Sequence, residues 1–203
     1  MEGNMKGIRG FVIVVLFSVV LLLASANTAL ALSYNGKTLS SSYPIVYESS
    51  IYFDSAIEAG QYSAIYDWNN AAGVYRMSIG LALHYYEEEF FNETYSYDGH
   101  NRIYRTWDWY SGAVGLNKYW FSGSTMVESD INYNPHFVLG DGSYAGYYDY
   151  ASLFYHEVSH TLGFADTYNS GESNMITYGY VYTGVVKTSI PYAELVAAYN
   201  LYH

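Results

Sequence analysis

The feature that most constrains this chain is the segment YHEVSHTLGFAD, residues 155–166. His156 and His160 lie four residues apart, so a helix would direct both imidazoles from one face. Asp149 is a suitable N-cap for that helix, and Gly163 offers the left-handed conformation in which many helices end. No proline or glycine interrupts the residues from this cap to the glycine. We therefore expect a domain built around a short helix that presents two imidazoles on one side.

Two imidazoles one helical turn apart are a common start of a metal site. A catalytic zinc needs three protein ligands and an open fourth position. Because Gly163 allows a sharp turn after the helix, the carboxylate of Asp166 can return to an ion held by His156 and His160. Glu157 stands beside the histidines, where a carboxylate can take a proton from an attacking water and later give it to a departing amine. The pattern predicts one catalytic zinc ion and peptide-bond hydrolysis.

Each of these assignments has an alternative. A helix with a solvated polar face explains the two histidines without any metal. Glu172 is another acid for the third ligand position, although it follows His160 by only twelve residues with no second helix between them. Asp166 is also compatible with an ordinary loop acid. Asp141 and Asp149 leave a calcium site open in the Gly-rich loop before the helix.

At this point the residues resemble a known family. The order H-E-x-x-H-x-x-G-x-x-D from His156 to Asp166 is similar to the pattern of the metzincin zinc metallopeptidases, in the aspartate form found in snapalysin-type enzymes. Met175 resembles the methionine of the tight turn that supports the metal in that family. The segments AIYDWNNA and ESDINYN are more weakly similar to a helix and a strand of matrixin-like members. The resemblance implies an α+β fold, with a twisted mixed β-sheet, a long first helix, a central active-site helix and a C-terminal helix.

The sequence departs from the family pattern in two places. Family members often carry a tyrosine two residues after the turn methionine, where it helps to stabilise the transition state. Thr177 occupies that position here, so the next residue, Tyr178, is the candidate for the role. The chain also has no cysteine for a thiol-based latency switch, and the sequence predicts no other means of restraining activity.

The first residues have the order of a secretory signal peptide. Lys6 and Arg9 precede an apolar run, Phe11–Ala24, which is followed by small residues ending at Ala31. The run is shorter than the roughly 20 residues that a membrane-spanning helix needs. We expect a signal peptide of residues 1–31 that is removed by cleavage after Ala31, secretion, and no stable membrane association afterwards. A retained membrane anchor is the alternative.

Charge and composition limit the partners. The 203 residues contain 8 lysines and arginines against 19 aspartates and glutamates, a net charge of −11, and the few bases are scattered. Nucleic acid is therefore excluded as a partner, because phosphate binding needs clustered positive charge. Without cysteine the chain forms no disulfide, so its stability comes from its core or a bound metal. Its length suits one domain, residues 32–203, and we expect a monomer.

The helices outside the histidine segment can also be predicted. Apolar spacing predicts a helix from about 55 to 72, which Gly73 ends. A terminal helix is predicted with Ser189 as its cap and Pro191 in its first turn. The ordered part of the domain is expected to fill residues 43–203.

The strands are less clearly marked. YRMSIGLALHYY, residues 75–86, and STMVESDINYN, residues 124–134, are predicted strands. Residues 86–123 are interpreted as an insertion or long loop with a strand around 101–106. An extended peptide needs a strand edge beside the metal, and residues 128–134 are expected to provide it.

Together these expectations describe a secreted zinc endopeptidase that acts on protein or peptide substrates. The twenty-seven tyrosines leave a second function open, a zinc-containing surface-binding or adhesive protein with a tyrosine-rich face and little or no proteolysis. Glu157 distinguishes the two hypotheses, because a binding protein has no need of a general base.

Overall fold

A computed structural model describes residues 32–40, 45–49, 55–81, 97–105, 112–142 and 144–203, and within it Ser33–His203 forms one compact unit. The strands are β1 (Thr38–Leu39), β2 (Ile45–Ser49), β3 (Met77–Leu81), β4 (Asn101–Arg105), β5 (Gly115–Ser122), β6 (Thr125–Tyr133), β7 (Leu139–Gly140) and β8 (Tyr148–Asp149). The helices are α1 (Ser55–Ala72), α2 (Tyr150–Thr161) and α3 (Tyr192–Tyr202), with a 3-10 turn at Ser170–Glu172. The predicted α+β class is confirmed, with three helices and a curled, mainly parallel sheet. None of the described helices is long and apolar enough to cross a membrane.

Six strands form the main sheet in the order β1-β6-β4-β2-β3, and β5 pairs with β6. Every pair is parallel except β5 with β6, which is antiparallel. β6 is paired along both edges, with β5 on one side and with β4 and β1 on the other. The expectation that residues 128–134 present a free edge is therefore wrong. Alternation identifies a strand but carries no information on its neighbours.

β5 is one of the edge strands of the sheet, since among the described residues it pairs only with β6. Both β4 and β5 lie within residues 86–123. The strand expected around 101–106 is confirmed, but the interpretation of the whole segment as an insertion or loop is wrong for its described part. Residues 82–96 and 106–111 lie outside the described residues. β5 escaped prediction because its sequence, GLNKYWFS, has no clean apolar alternation and only a partly buried face.

α1 begins and ends where the sequence predicts, and Gly73 follows it with a φ of 66°. It packs against both α2 and α3. Trp68 is fully buried at the contact with α2, and its indole N–H donates to the Tyr155 carbonyl at 2.9 Å. Replacing a tryptophan in such a position with alanine costs about 3–5 kcal/mol of stability. This contact fixes α2 between α1 and the sheet.

α3 differs from its prediction at its first residue. It begins at Tyr192, with Pro191 in the N-cap position and no side chain capping it. Ser189 lies too far upstream to cap the helix, so that expectation is wrong. A proline suits the position because it has no N–H to leave unpaired and its φ is already near the helical value.

The compact unit also begins earlier than residue 43. Tyr34 forms an isolated antiparallel bridge with Phe164, and β1 pairs with residues 125 and 126 of β6. These pairings at residues 34, 38 and 39 are made by backbone atoms, and backbone pairing does not depend on side-chain type. The Ser-rich composition around residues 39–44 therefore could not predict them. The ordered part therefore starts about ten residues before the expected residue 43, and the N-terminal segment lies against the loop that follows α2.

Candidate metal centre

The two ends of α2 are fixed by specific contacts. The Asp149 carboxylate caps the helix, accepting from Ser152 N at 2.8 Å, and also accepts from Gly142 N at 3.1 Å. This carboxylate, suggested above as a calcium ligand, is therefore engaged in capping. Gly163 follows the helix with a φ of 104°, and a Cβ there would lie 2.2 Å from the Lys37 carbonyl oxygen. Only glycine fits this sharp exit from the helix.

α2 places two histidines and a glutamate in one cluster. The Nε2 atoms of His156 and His160 are 3.2 Å apart. With Glu157 they form a group whose candidate ligand atoms all lie within 4.8 Å of one another. The group could hold a metal ion.

Asp166 returns to the same point after the helix. Its Oδ1 atom lies 3.1 Å from Nε2 of His156 and 3.5 Å from Nε2 of His160. This oxygen is buried and accepts no hydrogen bond. The Glu172 carboxylate, the other acid considered for this position, accepts a hydrogen bond from the Thr167 hydroxyl instead. The structure therefore brings together the three residues that the sequence predicts as ligands.

The second nitrogen of each imidazole is engaged by backbone. Nδ1 of His156 donates to the Ile176 carbonyl at 2.7 Å, and Nδ1 of His160 donates to the Phe164 carbonyl at 2.9 Å. In the neutral form of each imidazole, a proton on Nδ1 leaves Nε2 with a lone pair that faces the cluster. Hydrogen bonds of this kind fix both the tautomer and the ring orientation of metal-binding histidines.

The ionisable groups of the cluster shift one another's pKa values. Burial lowers the pKa of His156, but the neighbouring carboxylates of Asp166 and Glu157 outweigh that effect and raise the pKa to about 9. Burial and the adjacent His156 lower the pKa of His160 to about 4. Two imidazolium groups this close repel each other, so the pair holds one positive charge between them. Asp166 keeps a lowered pKa despite burial because the imidazoles of His156 and His160 lie beside its carboxylate.

Glu157 lies beneath the cluster, with only 3% of its surface exposed. Burial raises the pKa of its carboxyl group to about 7. Its side chain packs against Gly115 of β5, where a Cβ would lie 2.4 Å from Oε1. On the same strand, the Asn117 amide donates to the Glu157 carbonyl at 2.6 Å. β5 thus fixes the helix backbone at Glu157 and leaves room for its carboxylate.

The cluster opens into a cleft of about 460 Å³. One wall is the edge strand and the residues before it, from Gly112 to Asn117, and another is the loop that carries Tyr168 and Tyr180. His156, Glu157 and the other cluster residues form the floor between them. The cleft therefore runs alongside the exposed edge of β5.

Met175 begins a tight turn, which the Tyr178 N–H closes by donating to the Met175 carbonyl at 3.4 Å. Ile176, inside this turn, supplies the carbonyl that orients His156. Tyr178 itself is buried and lines a neighbouring pocket, with Nζ of Lys187 5.2 Å from its ring centroid. Its side chain is absent from the lining of the cleft that contains His156 and His160.

A different tyrosine lies at the cluster, and the sequence reasoning missed it. The hydroxyl of Tyr168 donates to Oδ2 of Asp166 at 3.1 Å, and its ring lines the cleft. It also packs edge-to-face against Tyr180, with ring centroids 5.1 Å apart. The one feature of the sequence that could have indicated Tyr168 is its position two residues after the predicted ligand Asp166.

Glu194 is a second residue that the sequence reasoning missed. Its fully buried carboxylate extends from α3 and accepts from the N–H groups of Ile176 and Thr177, each at 2.9 Å. Burial raises the pKa of this carboxyl group. Glu194 thus holds the turn whose Ile176 carbonyl orients His156. A lone acid in the apolar run YAELVAAY was the only signal for it.

No known protein-family model matches the chain, and no curated protein matches its sequence. The chemistry of the cleft is therefore inferred from its own residues and their geometry.

Proposed function

We propose that this protein is a secreted zinc endopeptidase with a metzincin-like site. The observation that carries the proposal is the triangle formed by Nε2 of His156, Nε2 of His160 and Oδ1 of Asp166, whose sides are 3.1, 3.2 and 3.5 Å. Ligands about 2.0–2.1 Å from a tetrahedral zinc ion are separated by about 3.3–3.4 Å. The unbonded, buried Oδ1 of Asp166 fits the same ion, because such an atom is costly without a partner.

His156, His160 and Asp166 would hold the zinc, which would supply a Lewis acid and lower the pKa of a water to about 7. Glu157 is the base that we assign to this site. It is adjacent to His156 in sequence, it lines the cleft, and Gly115 leaves space for its carboxylate. In this role Glu157 removes a proton from the attacking water and transfers it to the departing amine.

The edge of β5 supports a peptide as the substrate. An extended peptide adds to an exposed strand edge through backbone hydrogen bonds, which tolerate many sequences. The residues of Gly112–Asn117 line the cleft beside the cluster, so such a peptide would cross the floor formed by Glu157.

A zinc-containing adhesive or surface-binding protein is the second candidate. Large exposed side chains on the described surface are mostly tyrosines, among them Tyr66 (64% exposed), Tyr144 (67%) and Tyr192 (81%). Tyrosine is enriched on binding surfaces because its ring is apolar and its hydroxyl is polar. A binding function accounts for the exposed tyrosines, but it does not require a general base at Glu157.

The test uses the purified mature chain, residues 32–203, with zinc content and hydrolysis of an unfolded protein measured on the same sample. We expect about one zinc per chain, cleavage that stops when a chelator removes it, and recovery when zinc is restored. Bound zinc without cleavage would favour the binding protein. Absence of bound zinc would show that the ligand assignment is wrong.

A further inference from the structure

The backbone just after the predicted cleavage point lies against the loop that carries Asp166. We call Ser33–Lys37 the N-terminal strap. Asn35 N donates to the Gly163 carbonyl at 2.8 Å, and Ala165 N donates to the Ser33 carbonyl at 2.9 Å. These bonds flank the antiparallel bridge between the strap and the loop. The strap therefore holds the loop on the side next to α2.

The opposite side of the same loop is held by the turn that begins at Met175. Thr167 N donates to the Thr177 carbonyl at 3.0 Å, and Gly179 N donates to the Thr167 carbonyl at 2.9 Å. Asp166 thus lies on a short extended segment between two backbone partners. One partner is the turn, which α3 braces, and the other is the strap.

The strap also contacts the elements that hold His160. The Phe164 carbonyl, which accepts from Nδ1 of His160, belongs to the residue bridged by Tyr34. The Asn35 side-chain amide donates to the His160 carbonyl at 3.4 Å. Two of the three proposed ligands are therefore oriented by backbone that the strap contacts.

The strap is itself anchored beyond the loop. Nζ of Lys37 donates to the Gly123 carbonyl at 3.0 Å and lies 3.7 Å from the ring centroid of Phe121. The strap continues directly into β1, which pairs with β6. At Gly163 the fit is close, because a Cβ would lie 2.5 Å from the Tyr34 ring. The strap is thus a fixed part of the fold at the metal centre.

We propose that the N-terminal strap is a positioning element that sets the metal affinity of the centre. It holds the backbone on both sides of Phe164, so that His160 and Asp166 are already oriented when an ion binds. Without it, the Gly163 carbonyl and the Ala165 N–H lose their partners, and the ligand loop must be ordered by the ion itself. The proposal rests on the zinc site proposed above. Its consequence is that N-terminal trimming beyond Lys37 releases metal and activity together.

The test measures zinc affinity by competition with a chromogenic chelator, without any activity readout. The proteins are the mature chain, a chain that starts at Thr38, and the variant Asn35→Pro, which lacks the N–H that bonds to Gly163. Ser33→Pro is the matched control, because it keeps the carbonyl that Ala165 uses. We expect the truncation and Asn35→Pro to weaken zinc binding about 10–100-fold, as loss of contacts behind metal ligands does, and the control to leave it unchanged.

A peptide of residues 32–38 at about millimolar concentration should restore affinity to the truncated chain, since that is the effective concentration of a short tethered segment.

Equal zinc affinity in folded Asn35→Pro and in the mature chain overturns the proposal. So does a loss of thermal stability in the metal-free variant with no change in affinity, because that marks a merely structural segment. If the truncated chain fails to fold, Asn35→Pro and Asn35→Ala decide the matter. A mature chain that binds zinc without cleaving peptides contradicts the endopeptidase, while the affinity comparison still tests the strap. A mature chain that binds no zinc overturns both.

Discussion

Tyr168 and Tyr178 compete for one role, and their positions favour Tyr168. Its hydroxyl lies 3.1 Å from Oδ2 of Asp166, at the wall of the cleft, whereas Tyr178 lines the neighbouring pocket. We expect Tyr168→Phe to lower kcat about 10²–10³-fold with little change in KM, as removal of a hydrogen-bond donor to developing charge does. Tyr178→Phe is the matched variant and should leave kcat nearly unchanged. Steady-state kinetics on a fluorogenic peptide measures both, and a larger loss for Tyr178→Phe would return the role to that residue.

The proximity of the ligand candidates was predictable because it depends on short-range geometry. Spacing of four on a helix fixes the relation of His156 to His160, and the turn at Gly163 limits where Asp166 can go. The positions of Tyr168 and Tyr178 were not predictable in this way. They depend on how the chain folds back through the turn at Met175, which no local pattern specifies. Metal binding by the three residues and catalysis by Glu157 remain predictions.

At the scale of elements, the edge strand β5 is placed to control Glu157. A Cβ added at Gly115 would lie 2.4 Å from Oε1 of Glu157, the mobile end of a side chain that can move away. We expect Gly115→Ala to fold and bind zinc normally but to lower kcat by about tenfold or more, because a small misplacement of a catalytic group costs up to about 10²-fold. Gly112→Ala is the control, since a Cβ there meets no atom within 4 Å.

Zinc affinity and kcat measured on both glycine variants separate a displaced base from a damaged metal site. Equal kcat for Gly115→Ala and Gly112→Ala would mean that the Glu157 carboxylate is not confined by β5 in the way proposed. A loss of zinc from Gly115→Ala would instead place the strand among the supports of the metal.

α3 supports the centre from the other side through Glu194. Its carboxylate accepts two backbone N–H groups of the turn at Met175, and a glutamine offers only one acceptor oxygen to the same pair. We expect Glu194→Gln to reduce the free energy of unfolding by about 1–3 kcal/mol. We also expect it to weaken zinc binding about 10–100-fold through His156.

Glu48→Gln is the control for Glu194→Gln, because Glu48 pairs with His100 outside the cleft. Chemical denaturation and chelator competition measure the two effects. A Glu194→Gln protein that loses stability but keeps full zinc affinity would show that the turn does not transmit the position of α3 to His156.

The helices were more predictable than the sheet for a physical reason. The boundaries of α1 and α2 follow from nearby residues, such as the Asp149 cap and the glycines that end each helix. Strand order depends on partners far apart in sequence. The interior position of β6 and the edge position of β5 therefore could not be predicted from the residues within each strand. The predicted N-cap of α3 was also wrong. Ser189 and Pro191 are both residues that often start a helix, and they lie only two positions apart, so the sequence does not show which of them begins α3.

At the scale of the whole molecule, a buried acid makes stability depend on pH. Burial raises the pKa of Asp130 in β6 to about 7, and Glu128 and Asp98 add to the rise, while the Arg102 N–H and guanidinium oppose it. The unfolded pKa is about 3.9. As the pH rises between these values the unfolded chain loses this proton first, so stability falls by at most about 1.4 kcal/mol per pH unit.

Asp130→Asn tests this dependence, since asparagine keeps the oxygen that accepts from Arg102 N and removes the titration. We expect the free energy of unfolding of the variant, relative to the unmodified chain, to be higher at about pH 7 than at about pH 4. Urea denaturation of both metal-free proteins at each pH measures their free energies of unfolding. Titrating groups that the two proteins share contribute equally to both values and cancel in the difference. Parallel pH profiles would mean that Asp130 ionises normally in the folded state.

The α+β class was predictable for the whole molecule, but the extent of the compact unit was not. Composition around residues 39–44 resembles an exposed approach, yet residues 33–39 pair by backbone with β6 and with the loop at Phe164. Backbone pairing leaves little trace in side-chain composition. For this reason the N-terminal strap emerged only from the structure.

The most direct test of the central claim compares the mature chain with Glu157→Gln at equal bound zinc. Glutamine keeps nearly the same shape in the space beside Gly115 but cannot accept the proton. We expect one zinc in both proteins and a kcat about 10²–10⁴-fold lower in the variant on an unfolded protein substrate. Equal cleavage by the two zinc-loaded proteins would contradict the general-base role of Glu157, and cleavage by neither would contradict the endopeptidase itself.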